Sequence, residues 1–399
     1  MPNTDSPALR LTGHQPGLDG VRGVAILMVM AIHFVGDSKA QTFAQALLTK
    51  AAAYGLFGVD LFFVLSGFLI TGILLGAKNR PSYFRNFYAR RTLRIFPLYY
   101  GVLAALFLLL PVVTPLSPML EQAREQQGWL WTYTTNFYVA YTESWRSLTY
   151  VTHFWSLAIE EHFYLVWPLV VFALRRETLE RVCVGVIAAG LALRIGLALA
   201  GVSEVSISVL TPCRIDTLCV GALLAVVAHR EGGPQMLLER CGKAAPALGA
   251  AILLLSAYGA LTTDELPAPR QVRNTLFALF FGAVTLLSLR PGTELIPRVF
   301  RSRALRFFGK YSYGLYVYHG LLTWYFAESA VEARLDALLG NHWLTIAAKA
   351  AIGVSLSIIV AVLSYELFEK RFLSLKRFFE ARPAPAPAAP GVSATHVVT

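Results

Sequence analysis

The sequence predicts an all-α polytopic membrane protein, a bundle of about ten transmembrane helices with both termini cytoplasmic. Its composition is 56% hydrophobic and only 15% charged, with mean hydropathy +0.55, so its apolar groups need lipid around them rather than water. Mostly apolar runs of at least about 18 residues, enough to cross a hydrocarbon core as helices, recur along the chain, and none shows the alternation of barrel strands. Basic residues are also unevenly spread. With both termini on one side, 24 of the 35 Lys and Arg fall in the tails and inner loops and 7 in the outer loops, while Arg22, Arg194, Arg214 and Lys349 lie in or at the ends of spans. That bias follows the positive-inside rule, so the formal charge of +11 requires no nucleic-acid partner.

The apolar runs place spans at 17–35, 55–77, 95–113, 153–174, 182–200, 209–228, 244–262, 272–289, 311–327 and 343–367. Residues 1–16 form a cytoplasmic tail, 17–376 the membrane domain, and 377–399 a Pro/Ala-rich cytoplasmic tail expected to be extended or disordered. The N-terminus lacks a clustered positive region and a small-residue cleavage site, which predicts that the first helix is an uncleaved signal anchor. Cys183, Cys213, Cys219 and Cys241 lack the spacing of a metal or redox motif and read as reduced packing residues.

The first span, GLDGVRGVAILMVMAIH, opens on Asp19 and Arg22 and ends on His33. Eleven residues of helical rise separate Arg22 from His33, about 16 Å, which predicts a histidine near mid-membrane. Ionisable groups there cost about 2 to 3 kcal/mol and mark a pathway or a reaction centre; the plainer reading is a neutral imidazole bonded to a neighbouring helix. The second span, GLFGVDLFFVLSGFLITGILL, carries Asp60 near its outer end, where an acid orients a histidine, binds a sugar hydroxyl or snorkels to water. Its Ser66 and Gly67 read as packing residues. Before the third span, Arg85, Arg90, Arg91 and Arg94 gather on the inner side. Arg91 and Arg94 share a helix face and can bind phosphates bidentately, or lipid headgroups at an inner interface.

The connection 114–152 holds an aromatic piece around Trp129 to Tyr141 that either dips into the membrane or lies on it. The fourth span, HFWSLAIEEHFYLVWP, sets His153, Trp155, Ser156, Glu160 and Glu161 in an apolar segment. Adjacent glutamates diverge by about 100 degrees on a helix, so one can face a cavity while the other pairs with a basic residue. His153 and Trp155 also suit an aromatic belt at the outer edge. In TPCRIDTLCVGALLA, Arg214 and Asp216 stand two apart and do not face one another; each pairs with another helix or binds a polar acceptor. In FGKYSYGLYVYHGLL, Lys310 lies at the inner interface, Tyr313 and Tyr316 fit interfacial anchors, and His319 is deep enough to need a partner. His33 and Asp37 make an H-x-x-x-D pattern whose spacing arises readily by chance. No Walker loop, dinucleotide fingerprint, zincin motif or Gly-x-Ser-x-Gly elbow is present, which removes support for ATP hydrolysis, hydride transfer and serine hydrolysis.

Seven stretches, GLDGVRGVAILMVMAIH, FGVDLFFVLSGFLIT, FYARRTLRIFPLYY, HFWSLAIEEHFYLVWP, RIDTLCVGALLA, FGKYSYGLYVYH and SYELFEK, resemble in order and spacing the acyltransferase 3 family of bacterial membrane O-acyltransferases. The resemblance makes 17–376 an acyltransferase domain in the bacterial inner membrane. It implies transfer of an acyl group, often acetyl, from cytoplasmic acetyl-CoA or another acyl-CoA to a hydroxyl of a carbohydrate: a cell-surface polysaccharide, lipopolysaccharide or lipid-linked glycan. The family's Arg-x10-His pair maps onto Arg22 and His33, its Arg-x-x-Arg pair onto Arg91 and Arg94, and its paired acids onto Glu160 and Glu161. On this reading His33 is the general base in a direct transfer, with an acyl-histidine as the mechanistic alternative. Arg22 orients the donor, Asp19 orders Arg22, and Glu160 or Glu161 positions His33 or the acceptor. Arg91 and Arg94, with Arg90 and Lys310, bind coenzyme A, and Asp60, His153, Trp155, Ser156, Arg214, Asp216, Tyr313 and His319 are the acceptor-side candidates. The expected partners are membrane lipids, acyl-CoA and a glycan or small-molecule acceptor, with no metal; a homo-oligomer is compatible with all of this.

His319 is followed by Gly320 where the family often has an aromatic residue, and His162 stands where Gln is common, departures that alter packing or acceptor fit. The hydrolase-like domain fused to some members has no counterpart before residue 399, so any second step is expected from a separate protein. The competing readings are the same chemistry on a macrolide or other secondary metabolite, and a proton-coupled transporter or flippase whose buried His and Glu carry protons.

Overall fold

Ten α-helices of 16 residues or more organise the chain in the computed structural model, which describes residues 13–261 and 266–379. They are α1 (Pro16–Ala31), α2 (Gly58–Ala77), α3 (Tyr83–Ala104), α4 (Trp155–Ala173), α5 (Arg176–Leu199), α6 (Thr211–Ala228), α7 (Gly233–Leu261), α8 (Pro267–Ser288), α9 (Arg303–Glu328) and α10 (His342–Ser364). No strand occurs among the described residues. The predicted tails fall outside the described residues over 1–12 and 380–399. Eight helical stretches, those containing α1 to α7 and α10, are long and apolar enough to cross a bilayer, so this is a multi-pass membrane protein. The stretches with α8 and α9 have the length, 22 and 26 residues, but not the composition: α8 opens PAPRQVRN, and α9 carries Lys310, five tyrosines and His319.

Helix ends follow local chemistry. Pro267 begins α8 at a position whose N–H has no helical partner, and the Asn341 side chain caps α10 by accepting the Trp343 N–H at 2.9 Å. Helix α3 starts at Tyr83 rather than near residue 95, so the arginine-rich stretch is helical and presents Arg91 and Arg94 to the bundle. The connection 114–152 folds into short helices at 118–125, 128–131 and 135–142 and a 3-10 turn at 149–154. It covers the end of α3, where the Tyr99 hydroxyl donates to the Leu130 carbonyl at 2.8 Å.

Helix α1 packs on α9 and α2; α6 lies between α2 and α5; α9 packs on α10. Gly67 on α2 and Gly221 on α6 make one of these contacts close: a Cβ on either would stand 1.9 Å from a carbonyl oxygen of the other helix. Charge fixes the same helix. Two residues apart on a helix are about 200 degrees apart, so Arg214 and Asp216 leave α6 in opposite directions. Arg214 meets Asp60 of α2 at 2.8 Å, and Asp216 meets Arg194 of α5 at 2.6 Å. Arg194 also donates to Thr275 of α8 at 2.6 Å and to the Cys213 carbonyl at 2.7 Å. All four cysteines are buried and unbonded to one another.

Beyond α9, a short helix at Val331–Leu339 is fastened to α10. His342 faces two acceptors, the Asp336 carboxylate at 2.8 Å and the Lys39 carbonyl at 2.6 Å, and Lys349 pairs with Glu332 at 2.5 Å. The bond from His342 holds the Asp336 carboxyl below its ordinary range.

Because Arg194 and Asp216 are each only 2% exposed, removing one partner strands the other. Arg194→Leu or Asp216→Leu alone is expected to cost about 3 to 5 kcal/mol, and the double substitution to recover a large part of it. Thermal melts of the purified protein in detergent measure both.

Candidate active site

Two cavities open within the bundle, and Val59 and Tyr316 line both. The smaller, about 110 Å³, lies toward the face where α1, α3, α5, α7 and α9 begin, here called the basic face. The larger, about 1040 Å³, lies toward the opposite face.

Arg22, Arg91 and Arg94 converge on the smaller cavity, with Glu160, Glu161, Ser156 and Tyr313. Arg22 is oriented by Asp19, one turn earlier, at 3.0 Å. Asp19 also takes a 2.6 Å bond from His14. Arg91 lies over the rings of Tyr164 and Phe87, at 5.1 and 6.0 Å. Tyr164 is held by a 2.5 Å bond to Ser66, and the Glu160 carboxyl stands beside both hydroxyls. Neither Arg91 nor Arg94 has an ion-pair or hydrogen-bond partner among the described residues. Two guanidinium forks with unspent donors, beside an arginine already braced by a carboxylate, describe a cavity built for a polar anionic molecule, and the buried Glu161 oxygen, without a partner among the described residues, calls for a hydrogen-bond donor. The terminal turn Leu375–Phe379 packs against α3 and brings Lys376 into the field of Arg94, Arg91, Arg90 and Arg22.

His33 lines the other cavity. The continuous helix begins at Pro16, only six residues before Arg22, so the same eleven-residue rise carries His33 past the middle toward the opposite face. There the helix widens into a π turn over Ile32–Gly36, closed by the Asp37 N–H to the Ile32 carbonyl at 2.9 Å. Such turns are frequent at functional sites because they re-aim a side chain. Here the turn brings Asp37 to 3.2 Å from His33 Nδ1. A carboxylate accepts, so Nδ1 carries the hydrogen and Nε2 is left as a base.

Two more imidazoles stand beside it. The rings of His33 and His319 are 5.2 Å apart, and those of His319 and His153 5.3 Å. His319 Nδ1 bonds the Leu315 carbonyl at 3.1 Å and His153 Nε2 the Val317 carbonyl at 3.1 Å, which fixes both tautomers and leaves the other nitrogen of each without a partner. Among the described residues no group of three His, Cys, Asp or Glu side chains is arranged to hold a metal ion. Gly320 explains the departure next to His319: a Cβ there would lie 2.3 Å from the His153 ring. Asp60, Arg214 and Trp155 complete this side, with Trp145 packed on Trp155 at 5.9 Å.

Of the residues singled out from sequence, Arg22, Arg91, Arg94, Glu160, Glu161, Ser156 and Tyr313 share the small cavity, and His33, Asp60, His153, Trp155, Arg214 and His319 the large one. The glutamates therefore stand with the arginines and not with His33. Asp19, Arg90, Lys310 and Asp216 line neither: Asp19 braces Arg22, Arg90 is exposed, Lys310 pairs with Glu366 at 3.2 Å, and Asp216 is spent on Arg194. Sequence reasoning passed over Val59, which carries no signal in an apolar run, and Lys376, a basic residue at a helix exit like many others. It read Tyr316 as an anchor and Asp37 as a chance spacing.

The model of the acyltransferase domain, acyltransferase 3, matches residues 15–366. The chain is 27% identical over 369 residues to the peptidoglycan O-acetyltransferase OatA of Listeria monocytogenes, covering 89% of this chain and 55% of that protein. It is 30% identical over 328 residues to YrhL of Bacillus subtilis, covering 76% of this chain and 48% of that one. The chain thus spans about half the length of the curated relatives it matches. No solved structure matches it significantly. With the family's arginines on one cavity, its histidine on the other, and a match running from before α1 to beyond α10, the chain belongs to the acyltransferase 3 family.

Proposed function

We propose that this protein transfers an acyl group, acetyl first, from acyl-CoA bound at the basic face to a hydroxyl of a carbohydrate presented in the large cavity. The observation that carries the proposal is the pairing of a cavity holding two arginines whose guanidinium groups have no ion-pair or hydrogen-bond partner among the described residues with a second cavity holding a histidine oriented by an aspartate. Coenzyme A brings several phosphate charges, and Arg91 and Arg94 supply positive charge where the basic face meets the bundle. The basic face is then cytoplasmic, in agreement with the positive-inside bias, and α8 and α9 cross the bacterial inner membrane with the other eight, with Asn274 of α8 and Tyr316 and His319 of α9 facing the large cavity rather than lipid.

In the reaction, His33 Nε2 takes the proton of the acceptor hydroxyl as its oxygen attacks the thioester carbonyl carbon. The new C–O bond forms, the C–S bond breaks, and the coenzyme A thiolate leaves and takes up a proton. Asp37 holds the imidazole in the required tautomer and offsets the charge it gains. Arg22, braced by Asp19, faces the donor end of the path. A glycan acceptor is favoured by the peptidoglycan O-acetyltransferase name of the Listeria relative and by the aromatic pair Trp145 and Trp155 at the cavity, which suits the apolar face of a sugar ring.

Thiol released from acetyl-CoA by the purified protein, with candidate glycans present, measures the activity. His33→Ala is expected to reduce it at least about 100-fold. The double variant Arg91→Ala/Arg94→Ala is expected to raise the KM for acetyl-CoA by roughly 10- to 100-fold. Wild-type protein that neither binds nor consumes any acyl-CoA would overturn the donor assignment and favour transport, tested in liposomes.

Asp37→Asn keeps the shape of the helix end but weakens the orientation of His33. The expected result is a kcat lower by about 10- to 100-fold with the KM for acetyl-CoA unchanged, because Asp37 lines the large cavity and the arginines line the small one. An acyl group trapped on His33 after donor addition without acceptor would replace direct transfer by an acyl-enzyme route.

A further inference from the structure

Arg22, Arg91 and Arg94 touch one cavity and His33 the other, and among the described residues only Val59 and Tyr316 line both. We infer that Val59 and Tyr316 form a septum across which the acyl chain of the donor lies, and that this septum restricts the enzyme to short acyl-CoA thioesters. The inference rests on the donor reading above and goes beyond it by naming what sets acyl length.

Neither side of the septum is free to move aside. The Tyr316 hydroxyl donates to the His153 carbonyl at 2.9 Å and accepts from Ser156 Oγ at 2.5 Å, both at the start of α4. Its ring stands edge-on to Phe62 at 6.2 Å, and the residue is 6% exposed. Opposite it, Val59 lies on α2, one residue before Asp60, whose ion pair with Arg214 fixes that turn of the helix. A β-branched side chain on a helix has essentially one rotamer, so Val59 does not swing out of the way. The acceptor hydroxyl oxygen, whose proton His33 takes, and the thioester carbonyl carbon must nevertheless meet. They meet only if the carbonyl reaches the septum from the arginine side while the acceptor oxygen reaches it from the His33 side. The acyl carbons beyond the carbonyl then occupy the gap between Val59 and Tyr316 or project past it into the space the acceptor needs. Each added methylene worsens that conflict, and one methylene at an unyielding wall is worth about 10- to 200-fold in kcat/KM.

The test is kcat/KM for acetyl-, butyryl- and hexanoyl-CoA in wild type, Val59→Ala and Val59→Ile, with binding of coenzyme A itself measured by calorimetry for each. Wild type is expected to prefer acetyl to butyryl by at least about 10-fold. Val59→Ala is expected to raise the butyryl-to-acetyl ratio by about 10-fold and Val59→Ile to lower it, with coenzyme A affinity unchanged in both because the arginines are untouched. Tyr316→Phe, which unpins the ring from Ser156 and His153, is expected to move the ratio in the same direction as Val59→Ala. A ratio that stays within about twofold of wild type in both Val59 variants, while they bind coenzyme A and consume acetyl-CoA, overturns the septum and leaves the donor reading standing. Wild type that consumes no acyl-CoA at all overturns both.

Discussion

Helix α6 carries two opposite charges two residues apart, and each must find its counter-charge on a different neighbour. Arg214 finds Asp60 on α2, and Asp216 finds Arg194 on α5, with Thr275 of α8 closing the second group. In an apolar slab an unanswered charge is expensive, so the four helices have one arrangement in which every group is satisfied. The interaction fixes more than stability. Asp60 sits one residue after Val59 and two turns before Ser66, so the same pair that clamps α2 to α6 sets the height of the wall between the cavities and of the hydroxyl that holds Tyr164 under Arg91.

Much of the architecture was legible in the sequence because lipid imposes a length on apolar runs. Eight of the ten predicted spans correspond to helices that meet that length and composition. The two that do not, α8 and α9, were anticipated as spans and are helical over the same residues, but their polarity reflects what they line: α9 contributes Tyr313, Tyr316 and His319 to the cavities. The crossed directions of Arg214 and Asp216 followed from helical periodicity alone. Which partners they take did not, since that depends on which helices are adjacent.

Depth was harder to read than identity. The distance from Arg22 to His33 was correct as a helical rise, and the predicted start at 17 lies one residue from Pro16; Arg22 itself stands six residues inside the helix, and that offset carries His33 into the far cavity. Asp37 was discounted because an i, i+4 spacing is common. The π turn at Ile32–Gly36 has no signature in the letters, yet it places that carboxylate against His33. Glu160 and Glu161 were expected to position His33 or the acceptor; they line the arginine cavity instead, one to two turns along α4 from its start near His153 and Trp155. Gly320 is the clearest case of a departure with a physical cause, since the space a side chain would need is filled by His153.

The division into two cavities bears on how a thioester survives beside a base in an enzyme of this kind. On the proposed function, His33 stands in a cavity of about 1040 Å³, where water can reach it, while the donor, bound at the basic face, extends only its thioester end into the space of about 110 Å³ behind Val59 and Tyr316. Were base and thioester in one open chamber, water would compete with the sugar hydroxyl at every turnover, because the two nucleophiles differ little in intrinsic reactivity. Separation changes the competition. A glycan seated against Trp145 and Trp155 displaces water from the approach to His33 and delivers its own hydroxyl in the same step, so selectivity against hydrolysis arises from occupancy of the large cavity rather than from any special reactivity of the acceptor. The wall that makes the reaction geometrically demanding is therefore also what makes it a transfer.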